Sequence, residues 1–179
     1  MKNRRKKKLR NQNQKKKNER TLHFPMIPFK YNDKILSKST DARIYQDAIL
    51  LTPGEFTDSL SRSPVVYTEE AIQKSAGKWS ENYLNLDHSY ETLNRLGFIK
   101  NTYYKDGAVR GDLYIFPITN NAKDTIAMID NNLVNWLSVE LTTEDYWNTE
   151  DNKRYADNID YIGAAIVLHP ADPDTRIKT

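Results

Sequence analysis

The sequence predicts a β-rich α+β domain of about six or seven strands with short flanking helices. Three observations carry this prediction. Short runs rich in Val, Ile, Leu and Tyr recur along the body and are punctuated by Gly, Pro and Asp-Gly turn signals. Only two stretches switch to helical spacing with a capping residue in front. The 179 residues suit one domain with a real core, and a sheet of that many strands most simply removes its edges by closing into a barrel.

Charge separates a tail from this domain. Residues 1–20 hold eleven Lys and Arg against Glu19 alone. Taking that excess of ten from the overall +3 leaves the body at −7. The tail has no apolar period and repels itself, so it is expected to be a disordered basic arm. Such an arm suits contact with nucleic acid or an acidic protein, or serves as a solubilising extension or propeptide. Residues 21–41 read as an extended connector containing Pro25, Pro28 and His23, and residues 42–179 as the folded domain.

Composition excludes several chemistries. With no cysteine there is no disulfide, cysteine nucleophile or thiolate metal site. The three histidines, His23, His88 and His169, have no zinc-ligand spacing, so a metal site is not expected. No apolar run is long enough to span a bilayer, and the lysine-rich start lacks the apolar segment of a signal peptide. A soluble intracellular protein is expected.

Taken in order, residues 42–52 read as the first core strand, stopped by Pro53-Gly54. Residues 59–63 form a polar loop and Pro64-Val65-Val66-Tyr67 a short strand. Thr68 caps a helix with Glu69 and Glu70 in its first turn, Ala71 and Ile72 inward, and Gly77 at the exit. Residues 83–88 are a strand ending on His88. Residues 96–103 and 108–116 form a hairpin about Lys105-Asp106-Gly107. Residues 121–132 read as a helix capped by Asn121, with Ile126 and Ile129 at helical spacing. Residues 142–158 read as a polar, acidic loop, and residues 159–168 as a last buried strand.

The chain is organised around Leu133-Val134-Asn135-Trp136-Leu137-Ser138-Val139-Glu140-Leu141. At period two, Leu133, Asn135, Leu137, Val139 and Leu141 share one face, and Val134, Trp136, Ser138 and Glu140 the other. Ser138 and Glu140 therefore point the same way. A strand bringing His88 beside this one would supply the nucleophile and base of a serine hydrolase. No Gly-x-Ser-x-Gly surrounds Ser138, which excludes the nucleophile-elbow hydrolases.

The ordered series of Leu86-Asp87-His88, Gly97-Phe98-Ile99, the Asp-Gly hairpin into Gly111-Asp112-Leu113-Tyr114-Ile115, a helix into Leu137-Ser138-Val139-Glu140, and Ala165-Ile166-Val167 before Pro170-Ala171 resembles the prohead (capsid maturation) proteases of tailed bacteriophages. These are similar to the herpesvirus assemblins. The resemblance spans roughly residues 42–177. It implies a closed β-barrel flanked by helices, His88 as general base, Ser138 as nucleophile, and no cofactor. The implied substrates are scaffold and major capsid protein precursors, including the protease itself, cut inside the assembling prohead in the host cytoplasm by an oligomer held there. In the phage relatives an acidic residue often opens the last strand, where assemblins use a histidine. Here Gly163 stands in that region with Asp160 slightly earlier. Glu140, on the face of Ser138, competes with Asp160 for the role of orienting carboxylate, with Asp112 and His169 as further candidates. The alternatives to a serine endopeptidase are a non-catalytic capsid or scaffold component that holds nucleic acid or acidic protein through its arm, and a basic-tailed RNA-binding domain. The acidic body disfavours the last of these.

Overall fold

A computed structural model describes residues 41–57 and 63–178. The basic arm, nearly all of the connector with His23, and most of the loop at 59–63 lie outside the described residues. The body runs β1 (Arg43–Leu51), β2 (Gly54–Phe56), β3 (Val65–Tyr67), α1 (Glu69–Ser75), β4 (Trp79–Leu86), a 3-10 turn (Thr92–Asn94), β5 (Arg95–Lys105), β6 (Ala108–Ile115), α2 (Asn120–Asp130), β7 (Trp136–Asn148) and β8 (Lys153–Val167). Strand content exceeds expectation, with eight strands in one sheet among the described residues. Among the described residues no helix is long and apolar enough to cross a membrane.

Local chemistry accounts for the elements that were foreseen. The Thr68 hydroxyl accepts from Ala71 N–H at 3.2 Å and opens α1, whose Ile72 is fully buried. The Asp106-Gly107 turn takes both residues to positive φ, 51° and 75°, the twist that a two-residue hairpin between β5 and β6 demands. The cap of α2 is Thr119, not Asn121: the Thr119 hydroxyl accepts from Ala122 N–H at 3.1 Å. The Asn121 amide instead donates to Asn94 Oδ1 at 2.6 Å.

Two larger expectations, on the acidic segment and on closure, also change. Residues 142–158 are not an open loop: 142–148 and 153–158 form the outer halves of β7 and β8 about a turn at 149–152, paired from Thr142↔Asp160 to Asn148↔Lys153. This ribbon carries Tyr146 stacked on Tyr155 at 5.5 Å. The other correction concerns closure. The strands run β1-β6-β5-β4-β8, with β7 on the far edge of β8 and β3-β2 beside the first residues of β8. Among the described residues β1 and β7 do not pair, so the sheet is open and curled, not a closed barrel.

The gap is spanned by the C-terminal segment instead. Ile49 and Arg176 exchange backbone hydrogen bonds at 2.9 and 3.0 Å, and Ile177 N–H donates to Asn135 O at 2.7 Å. The buried Thr175 hydroxyl donates to Leu137 O, and Asp172 accepts from the Thr52 amide and hydroxyl at 2.7 and 2.8 Å. The free edges of β1 and β7 are thus satisfied by a strap, which lets the sheet stop without an exposed ladder at that point. Inside the curl lie Leu50, Leu84, Ile99, Leu113, Leu137 and Ile166, each fully buried, with Ile72 of α1 and Ile129 of α2 packed in the same cluster.

Candidate active site

The core claims one face of β4, β8 and β7, and the candidate residues occupy the other. Leu84, Ala164 and Leu137 enter the core cluster. Alternation then sends Tyr83, Gly163 and Glu140, which form one row across the three strands, to the outer face. The next row on that face is Asn85, Ala165 and Ser138. Ser138 and Glu140 therefore share a face as their spacing predicts, about 7 Å apart along β7. Trp136, a further two residues back, lies on the same face and is exposed.

His88 is not on a strand. β4 ends at Leu86, and Asp87 and His88 adopt φ of 50° and 53°, with Ser89 N–H closing the turn on Leu86 O at 3.0 Å. Two left-handed residues in succession reverse the chain tightly. The turn returns His88 over the outer face, where Nδ1 meets Glu140 Oε1 at 2.9 Å. The imidazole is partly open to solvent, whereas the Glu140 side chain is only 9% exposed.

Glu140 is the most heavily engaged carboxylate on this face. Its Oε2 accepts from the Tyr90 hydroxyl at 2.9 Å and from the Tyr83 hydroxyl. Burial pushes the Glu140 carboxyl up, but hydrogen bonds from His88, Tyr83 and Tyr90 together outweigh it and hold the group below its ordinary range. An ionised carboxylate so placed accepts a proton-bearing Nδ1, leaving Nε2 of His88 as the basic nitrogen. No hydrogen bond joins the Ser138 hydroxyl to His88 in this conformation.

The other candidates lie elsewhere. Asp160 is exposed and pairs with Thr142, three residues before Gly163, the residue opposite Glu140. That is roughly 10 Å along β8 from the row where His88 meets Glu140, and no hydrogen bond joins Asp160 to His88. Asp112 accepts from Asp47 N–H at 3.0 Å and from the Asn101 amide at 2.7 Å, so it supports a bulge in β1. His169 is exposed just past the end of β8. Tyr83 and Tyr90 leave no local pattern in the sequence: Tyr83 reaches Glu140 through register across three strands, and Tyr90 through the segment that follows the His88 turn.

No protein-family model matches the chain, and no curated protein matches it. Among solved structures, the bacteriophage T4 capsid assembly protease is similar over 71% of this chain and 98% of that chain, at 10% sequence identity and a TM-score of 0.44.

Proposed function

We propose that this chain is a serine endopeptidase of phage capsid assembly, with Ser138 as nucleophile, His88 as general base and Glu140 as the orienting carboxylate. The observation that carries the chemistry is the His88–Glu140 contact on the face that also presents Ser138. The assembly role rests on the ordered resemblance to prohead proteases in the sequence. Scaffold and major capsid protein precursors are then the substrates, and the prohead is the site of action.

In this reading the Ser138 Oγ attacks the scissile carbonyl carbon while His88 Nε2 takes its proton. The tetrahedral intermediate collapses to an ester on Ser138, and the imidazolium gives its proton to the departing amine. Water, deprotonated by the same nitrogen, then releases the acid and restores the serine. Glu140 fixes the imidazole tautomer and stabilises the imidazolium, so its contribution is larger in the transition state than in the ground state. Uncomplexed sites often hold nucleophile and base loosely, which accommodates the absence of a Ser138–His88 bond.

Co-expression with a capsid or scaffold precursor, followed by mass spectrometry, tests the function. New precursor termini are expected with the parent chain and not with Ser138→Ala. The same termini with the alanine variant would leave the non-catalytic capsid component as the better reading.

A further inference from the structure

Register decides which side chains reach Glu140. Tyr83 on β4 and Glu140 on β7 are both paired with Gly163 of β8. Their backbones are therefore two strand spacings apart, roughly 9–10 Å. A long, rigid side chain laid over β8 spans that interval and a shorter polar one does not. The strand beneath must then be bare. A Cβ on Gly163 would lie 2.5 Å from Tyr83 Cδ2 and 2.6 Å from the Tyr83 carbonyl oxygen. The ring is fixed from its other sides by the Arg95 guanidinium, 4.3 Å from its centroid, and by the edge of Tyr90 at 6.3 Å.

We propose that Tyr83, carried across β8 at Gly163 and assisted by Tyr90, is a positioning residue for the catalytic pair: the two hydroxyls hold Glu140 Oε2 so that Oε1 stays turned to His88 Nδ1. This rests on reading Glu140 as the partner of the base. A carboxylate this buried needs donors on both oxygens, or it takes a proton or swings toward water. The Tyr83 hydroxyl is itself pushed up by burial and then by its bond to Glu140, so it remains a donor throughout the working pH range. The charged and titratable groups around the pair are His88 and Tyr90 from the turn, Tyr83 and Glu81 from β4, and Arg95 from β5. Gly163 has its own reason in this arrangement. The carboxylate sits opposite it, on β7, because a side chain at 163 would displace the tyrosine that holds that carboxylate.

Tyr83→Phe tests the proposal by deleting the hydroxyl while keeping the ring, and Tyr90→Phe does so at a more exposed position. Two readouts on the full chain are needed. Carbon-13 NMR, with Glu140→Gln for assignment, follows the Glu140 carboxyl, whose pKa is expected to rise by about one pH unit in Tyr83→Phe and less in Tyr90→Phe. The rate at which a peptidyl phosphonate acylates Ser138 is expected to fall about tenfold at neutral pH, with its acid limb displaced upward and reagent affinity unchanged. Unchanged titration of Glu140 in both variants overturns the proposal. So does a parent-like pH profile of acylation in a variant whose Glu140 has moved. If Ser138 of the parent is not acylated at all, the protease reading fails separately, and the carboxyl titration still decides whether Tyr83 holds Glu140.

Discussion

His88 and Glu140, fifty-two positions apart, meet through Nδ1 and Oε1 at 2.9 Å on the outer face of the sheet. The contact needs two unrelated local events. β4 must end in a turn with two left-handed residues, and β7 must place Glu140 opposite Gly163. That face carries Ser138 one pleat repeat away.

Glu140→Gln preserves shape and removes charge, so it separates orientation by a carboxylate from mere packing. A fall in the rate of precursor cleavage of about 10⁴ is expected, the size seen for the corresponding amide substitution in another triad. Asp160→Asn is expected to keep the parent rate, since Asp160 lies in the exposed ribbon opposite Thr142. A collapse in Asp160→Asn with Glu140→Gln active would reverse the assignment.

Asp47 makes stability depend on acid pH. The Lys178 ammonium and then the Tyr103 hydroxyl bind its carboxylate, Arg110 adds its charge, and together they bring its pKa down to about 2 from 3.8. A depressed carboxyl stabilises the fold fully above its unfolded value and loses that contribution as pH falls through the folded one. The window is therefore from about pH 4 down to about pH 2. Because Asp47 is partly exposed, Asp47→Asn is expected to cost on the order of 1 kcal/mol at pH 7 and only a small part of that at pH 2. Urea unfolding at the two pH values measures the difference.

The hairpin at Asp106-Gly107 and helix α1 were legible in the sequence because their causes are local: a dipeptide that accepts positive φ, and a hydroxyl placed before Glu69 and Glu70. The shared face of Ser138 and Glu140 was legible for a similar reason, since alternation along one strand needs only that strand. The ribbon formed by residues 142–158 was not legible. Much of it faces water, so no apolar alternation marks it, and its acidic composition reads as a loop. The turn holding His88 was missed because Asp-His is not a dipeptide that announces two left-handed residues. Closure was overestimated because the edges of β1 and β7 are satisfied by Arg176, Ile177 and Thr175, a solution that the strand pattern does not reveal.

The strap offers a third prediction. Asp172 is buried and accepts from the Thr52 amide, the Thr52 hydroxyl and the Asp174 amide. Asp172→Ala strands those donors and is expected to destabilise the domain by about 2–3 kcal/mol. Cleavage by a nonspecific protease should also begin sooner within residues 170–178. An unchanged denaturation midpoint would mean that the segment adds nothing to the sheet it bridges.

Covalent labelling of the parent chain by a peptidyl phosphonate, with the modified residue located by mass spectrometry, probes the catalytic assignment at its centre. One adduct is expected, on Ser138, formed at a rate that drops by orders of magnitude in His88→Ala and in Glu140→Gln while both variants remain folded. An adduct on another residue, or labelling of Ser138 at the same rate in both variants, would contradict that assignment.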